Sequence, residues 1–371
     1  MKRKNFFKYF LLFYFIFTLS FSVLIVVIFI NSDIFQNKKK LIISKLFNSG
    51  RIEYIYLPKI LFKSFTGSFK KIDQIYLNIG FDNQLILEES RSLAIKDYDN
   101  GKHDPKIFNE TRVRVTQNNK NFRGTIRLKG DRDIHWRDRE YSSYKVNLSQ
   151  ENYVFHMNKF SLQKPRARNY IHEWIYLELA KLSDIIKIDY KFVNLNINGE
   201  SAGLYVMEEG FNKDLLEKNG RRNGPIFSLN ETYGTDQRDP IFEVYNEKIW
   251  LGKENIATYK KARHNLENYF KGKIEAEEIF DLDKWASFFA VTDLTHTYHG
   301  LYAKSVKFYF NPVSNLFEPI PFDGHRKKPN YSKFSINYDN RILLDILTHP
   351  KSDAIEYEFF FLWIKNFFFT S

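Results

Sequence analysis

Apolar and polar residues alternate along much of the chain after residue 71, and this pattern predicts a strand-rich first half of a domain. The alternating runs lie at residues 72–79, 111–116, 122–128, 144–148, 188–197 and 202–207. Asn198 and Gly199 separate the last two runs, and Asn-Gly is a strong short-range signal for a hairpin. Two runs with helical spacing, residues 82–96 and 169–183, interrupt the strands.

The second half of the domain mixes helical and strand patterns. Residues 211–219 indicate a short helix, and a longer helix is predicted to begin at Asp281. A strand is predicted at residues 224–229, and residues 306–310 and 316–320 are typical of a hairpin. This mixture, without strict alternation of strand and helix, predicts a fold of the α+β class.

The N-terminal part of the chain indicates a membrane anchor. Residues 9–30 carry no charge and would form a helix about 33 Å long, which matches the hydrocarbon core of a bilayer. A cleaved signal peptide is the rival interpretation, but the run is longer than usual and no small-residue cleavage site follows. We therefore predict a signal anchor. Residues 1–8 would form a cytoplasmic tail and residues 31–70 a linker, with the bulk periplasmic or at the cell surface.

Charge and composition exclude several classes of function. The net charge is +12, but residues 1–50 hold eight Lys and Arg against one acid, so the remaining chain is only mildly basic. No dense basic stripe remains for nucleic acid, which we do not expect as a partner. The chain has no Cys, which excludes disulfides and thiolate metal sites. It contains no P-loop, G-x-G-x-x-G or G-x-S-x-G motif, which argues against P-loop, Rossmann and serine-hydrolase chemistry.

Four sequence blocks between residues 120 and 325 resemble the CotH kinase family, bacterial proteins with an atypical protein-kinase-like fold. The blocks are GTIRLKGD at 124–131 followed by SYKVNL at 143–148, the helix at 171–182, VNLNINGESAGLYVMEE at 193–209, and YFNP at 309–312 followed by FEPIPFD at 317–323. The resemblance implies two lobes, an N-lobe over about residues 71–207 and a C-lobe over about 208–371. The last residues, 358–371, indicate either a packed terminal helix or a truncated C-lobe.

The resemblance also implies a phosphotransferase that places ATP or another nucleotide between the lobes. Lys145 matches the family's strand lysine, which contacts the phosphates, and Glu173 on the next helix would pair with it. Asp323 matches the family's metal-binding acid. Each residue also has a plainer interpretation: a solvated strand lysine, a first-turn acid favoured by the helix dipole, and a turn residue.

The chain departs from the family pattern at three positions. His299 lies where the family has an acid, Ser305 where it has an asparagine, and His325 where it has a second acid. Asp293 would replace the first acid only in a shifted register. His299 or Asp293 would then orient the acceptor. These changes weaken the case for ordinary kinase activity.

The substituted positions have their own pattern. His296 and His299 are three residues apart, which places them on one face of a helix end, and Asp323 and His325 share one face of a strand end. If the two segments meet, imidazoles and a carboxylate converge, with Asp323, His325 and His296 as metal ligands. Such a set favours Zn²⁺, Mn²⁺ or Fe²⁺ over Mg²⁺. The alternative is a group of polar loop histidines.

The sequence therefore predicts a membrane-anchored, two-lobed α+β protein of kinase-like fold. One hypothesis is phosphoryl or related group transfer, dependent on Mg, Mn or Zn, to a protein or a cell-surface glycan. The other is a catalytically degenerate kinase fold that binds or assembles envelope or polysaccharide material.

Overall fold

A computed structural model of the chain describes residues 71–101, 108–130, 132–149, 151–229, 242–301 and 305–324. The chain divides into two units, residues 1–71 and 72–371, and all elements below belong to the second. Within the described ranges, no helix is long and apolar enough to cross a bilayer. The predicted anchor at residues 9–30 lies outside them.

Seven strands form a closed barrel. They are β1 (Gln74–Asn78), β2 (Thr111–Gln117), β3 (Lys120–Leu128), β4 (Tyr144–Leu148), β5 (Lys159–Gln163), β6 (Tyr190–Ile197) and β7 (Glu200–Glu209). The spatial order is β1-β2-β3-β4-β5-β7-β6, and a parallel pairing of β1 with β6 closes the barrel. Alternate residues point inward, so one set fills the core and the other remains available for chemistry.

Helix α1 (Phe81–Asp99) packs against barrel strands, and helix α2 (His172–Leu182) adds Tyr176, Leu177 and Ala180 to a hydrophobic core outside the barrel. The predicted helix at residues 169–183 begins later than expected. A 3₁₀ turn at Pro165–Arg168 precedes it, and Asn169 and Tyr170 then adopt positive φ angles of 53° and 63°. Two consecutive left-handed residues cannot continue a right-handed helix, so α2 begins only at His172.

The rest of the unit packs around a second sheet. Its strands are β8 (Ile226–Leu229), β9 (Phe242–Val244), β10 (Lys307–Phe310) and β11 (Phe317–Ile320), in the order β11-β10-β8-β9. The helices are α3 (Lys213–Lys218), α4 (Glu247–Trp250), α5 (Ile256–Phe270), α6 (Ala276–Ile279) and α7 (Leu282–Thr295). The mixed strands and helices agree with the predicted α+β class.

Helix α7 brings functional residues to the sheet. Asp281 caps it by accepting a hydrogen bond from the Lys284 amide, as the predicted helix start requires. Trp285 is fully buried, and its indole nitrogen donates to the carbonyl of Phe317 in β11. This contact fixes α7 against the end of the sheet, so the segments that follow α7 and β11 emerge close together.

Candidate functional site

Two segments far apart in the sequence meet at one carboxylate. His299 lies on the 3₁₀ turn Tyr298–Leu301 after α7, and Asp323 follows β11. The His299 Nδ1 atom is 3.2 Å from Asp323 Oδ2, and the Ser305 hydroxyl donates to the same oxygen at 3.2 Å. All three residues are buried. The structure thus brings these three side chains together at one carboxylate.

The other oxygen of Asp323 contacts a buried arginine. Arg168 Nη1 is 2.5 Å from Asp323 Oδ1, and Arg168 Nε is 3.0 Å from Glu173 Oε2. Glu173 lies on α2 and is fully buried. One guanidinium therefore lies between two acidic side chains. The Lys145–Glu173 pair implied by the resemblance is replaced, since Glu173 contacts Arg168 instead.

The backbone around Asp323 is held tightly. Asp323 has a positive φ of 58°, which a non-glycine residue adopts only under local constraint. Gly324 packs so closely on α2 that an added Cβ would lie 2.2 Å from the Tyr176 ring. The Gly324 carbonyl is also 3.3 Å from the His172 ring nitrogen. The carboxylate of Asp323 is consequently fixed in position relative to α2.

One face of the barrel carries a row of polar side chains. The register aligns Arg127, Lys145, Ser161, Glu208 and Tyr190 directly across β3, β4, β5, β7 and β6. Aligned residues point to the same face of a sheet, so these five side chains form one band. The inward-facing residues of the same strands are apolar.

The charges in this band are unevenly distributed. Glu208 accepts from Lys129 at 3.1 Å and from the Gln163 amide at 2.5 Å, so its charge is already matched. Lys145 is half-buried. Burial, together with the nearby cations Arg127, Lys129 and Lys159, lowers the pKa of Lys145 to about 8. The Lys145 end of the band is therefore an electropositive surface suited to an anion.

Lys129, which contacts Glu208 of the band, and the ring of Phe322 connect the band to Asp323. Phe322 precedes Asp323, and its ring centroid lies 5.9 Å from Lys129 Nζ and 5.8 Å from the Arg168 guanidinium carbon. Lys307 on β10 is buried, with Nζ 5.2 Å from the same centroid. Three cations thus surround Phe322, and the band and the His299–Asp323 contact belong to one site.

The remaining predicted site residues lie elsewhere or outside the described residues. His296 ends α7 and is exposed, and its ring nitrogen is 3.4 Å from the Tyr298 hydroxyl. Tyr298 in turn donates to Asp293 at 2.6 Å. His296 and Asp293 therefore form a set separate from the Asp323 contacts. His325 lies outside the described residues.

The described residues do not fit a metal centre. Nowhere in the described ranges do three or more His, Cys, Asp or Glu side chains group as metal ligands. Both oxygens of Asp323 already have partners, one of which is a guanidinium at 2.5 Å. A cation bound to that oxygen would lie against Arg168. The metal role predicted for Asp323 stays a prediction.

Sequence reasoning missed several residues of the site, among them Arg168, Glu208, Lys129 and Lys307. Arg168 carries no periodic signal, since it lies in a 3₁₀ turn between a strand and a helix. Glu208 does lie in the most family-like block, at the end of VNLNINGESAGLYVMEE. The position of Glu208 in this block was the one sequence feature that could have indicated a role in the site.

Replacing Glu173 with glutamine is expected to remove a pH dependence of stability. Burial raises the pKa of the Glu173 carboxyl, and Glu208 and Asp323 raise it further against the opposing effect of Arg168. The folded state therefore keeps a proton that the unfolded state loses above about pH 4.3, so wild-type stability falls as pH rises beyond that value. Between pH 5 and 8 the variant should lose about 3–4 kcal/mol less stability than wild type.

Urea unfolding at several pH values measures this difference. Glu178→Gln on the same helix is the control, because that side chain is partly exposed and contacts Lys187 at the surface. Parallel pH profiles for wild type and Glu173→Gln would contradict the expectation.

The comparisons with known proteins agree with the fold. No curated protein matches the chain closely enough to count as a relative. A family model described as CotH kinase protein matches residues 126–353, which include β4, α2, the barrel hairpin at Asn198 and the segment through Asp323. Since this match covers more than half of the 371 residues, the chain belongs to the CotH kinase family.

Proposed function

We propose that this domain binds a nucleoside triphosphate and transfers its terminal phosphoryl group to a hydroxyl of a protein or a cell-surface glycan. The electropositive end of the band at Lys145 is the observation that carries the proposal. Arg127, Lys145 and Lys159 lie together on one face, and burial with mutual repulsion lowers the pKa of Lys145. A polyphosphate placed there would relieve that repulsion.

His299 is the group best placed to receive the acceptor proton. Its Nδ1 atom lies 3.2 Å from Asp323 Oδ2, so the ring stands next to a carboxylate. The acceptor oxygen forms the new bond to the terminal phosphorus, and the bond to the bridging oxygen breaks with its electrons leaving on the nucleoside diphosphate. The acceptor proton passes to His299.

The second candidate is binding without catalysis, in an assembly factor for envelope or polysaccharide material. The observation that favours it is the engagement of Asp323 by Arg168, since the family's acid is then occupied by a side chain. Nucleotide binding without any transfer would select this candidate.

The proposal also includes the cellular location of the domain. The signal anchor at residues 9–30 would hold the domain outside the cytoplasm, in the periplasm or at the cell surface. ATP is scarce there, so the donor is either an exported nucleotide or another phosphoanhydride with the same terminal group.

Lys145→Met is expected to raise the Kd for ATP about tenfold or more, because one charge-assisted contact to phosphate is lost. The affinity of the wild type should fall as pH rises above about 8, where Lys145 loses its proton in the free protein. The variant should lack that pH dependence. Titration of the full-length chain with a fluorescent ATP analogue measures both.

Lys120→Met is the matched control, since Lys120 is an exposed lysine at the tip of the β2–β3 hairpin. Equal weakening by both substitutions would indicate general surface charge and contradict a specific phosphate contact at Lys145.

A further inference from the structure

Both oxygens of the Asp323 carboxylate already contact side chains. Arg168 contacts Oδ1 at 2.5 Å, while His299 and Ser305 both lie 3.2 Å from Oδ2. A divalent ion must approach a carboxylate oxygen to about 2.0–2.6 Å, and the guanidinium already occupies that distance on one side. Two cations cannot share this oxygen without strong repulsion.

Neither partner is free to move aside. Arg168 is buried and is also held by Glu173 at 3.0 Å, with its guanidinium carbon 5.8 Å from the Phe322 ring centroid. Asp323 is fixed by its left-handed backbone and by the packing of Gly324 on Tyr176. Opening the site for a metal would leave a buried charge without a partner, which is strongly unfavourable.

Side chains supply the positive charge that a metal would otherwise bring. Arg127 and Lys145 lie on the band, Lys159 lies on the same face two residues before Ser161, and Lys307 is buried beside Phe322. In phosphoryl transfer, the metal ions neutralise phosphate charge and bridge phosphate oxygens. The first of these tasks needs only fixed cations, and the site already has them.

We propose that Arg168 takes the place of a divalent metal at Asp323, so that the site binds the phosphates of a nucleotide without a metal ion. The proposal rests on the proposed nucleotide site for its ligand. Arg168 acts as a positioning residue, because it holds Asp323, which in turn contacts His299. Lys145, Lys159 and Arg127 would contact the phosphates.

Mn²⁺ binding to the full-length chain, without any nucleotide, tests whether Asp323 can bind a divalent metal. Binding is measured as the loss of the free Mn²⁺ signal in electron paramagnetic resonance. Wild type and Asp323→Asn should reduce this signal equally. Arg168→Gln removes the competing cation and should bind Mn²⁺ at least tenfold more tightly than wild type. Adding Asp323→Asn to that variant should abolish the gain.

Arg137→Gln is the matched control, because Arg137 also contacts two carboxylates, Asp99 and Asp133, but at the surface. It should leave Mn²⁺ binding unchanged. Wild-type Mn²⁺ binding that is lost in Asp323→Asn would overturn the proposal, and this outcome includes a site completed by His325. Failure of Arg168→Gln to gain Mn²⁺ would also overturn it, provided that thermal unfolding shows the variant folded.

ATP titrations of wild type in excess EDTA and in excess MgCl₂ test whether the nucleotide binds without a metal ion. We expect a Kd in EDTA within about threefold of that in MgCl₂, or tighter. A Kd at least tenfold tighter in MgCl₂ would overturn the metal-independent site but leave the nucleotide proposal intact. Absence of binding in both solutions would instead overturn the proposed function, and with it the inference.

Discussion

His299→Ala is expected to lower the rate of phosphoryl transfer by about 10²- to 10⁴-fold, the range for loss of a general base. The physical reason is that the proposed step needs a base for the acceptor proton, and His299 is a buried imidazole with Nδ1 3.2 Å from Asp323 Oδ2. Transfer from γ-labelled ATP to the chain itself and to dephosphorylated casein is the measurement. The Kd for ATP should change little, since the phosphate contacts belong to other residues.

His296→Ala is the control for this experiment, because His296 lies three residues earlier but is exposed and contacts Tyr298. Its rate should remain close to that of wild type. Equal rates for His299→Ala and wild type would rule out the proposed base. A wild type that binds ATP but transfers nothing would favour the binding factor over the enzyme.

The strands, the helix after Asp281 and the hairpin at Asn198 could be predicted because each depends on a local pattern. Alternation and helical spacing report which residues face the core, and Asn198 adopts the positive φ of 51° that Asn-Gly hairpins need. The start of α2 could not be predicted this way. It depends on the left-handed Asn169 and Tyr170, and helical spacing carries no signal for such a break.

The candidate site could be predicted only in part. Family resemblance pointed to Lys145, Glu173 and Asp323, but it could not supply their partners. Glu173 contacts Arg168 because a 3₁₀ turn happens to direct that side chain back under α2. The band at Lys145 likewise depends on strand register, and register is a property of paired strands rather than of one strand's sequence.

Arg168→Met is expected to destabilise the fold by about 3–5 kcal/mol at pH 8, the usual cost of breaking a buried ion pair. Methionine keeps much of the side-chain volume but leaves Glu173 and Asp323 buried without their shared cation. The free energy of unfolding from urea titrations measures the loss. Arg137→Met should show no resolvable change, because water screens its two carboxylates at the surface.

The pH dependence of this loss distinguishes lost charge from lost packing. Without Arg168, the opposing effect that lowers the pKa of Glu173 is gone, so that carboxyl should hold its proton to still higher pH. Wild-type Glu173 loses its proton near pH 8, whereas the variant keeps it, so the penalty in Arg168→Met should grow as pH rises from 7 to 9. A penalty that stays constant over this range would mean that Arg168 stabilises the fold through packing. In that case the charge of Arg168 would not stabilise the two buried carboxyl groups, and Arg168 would not replace a metal ion at Asp323.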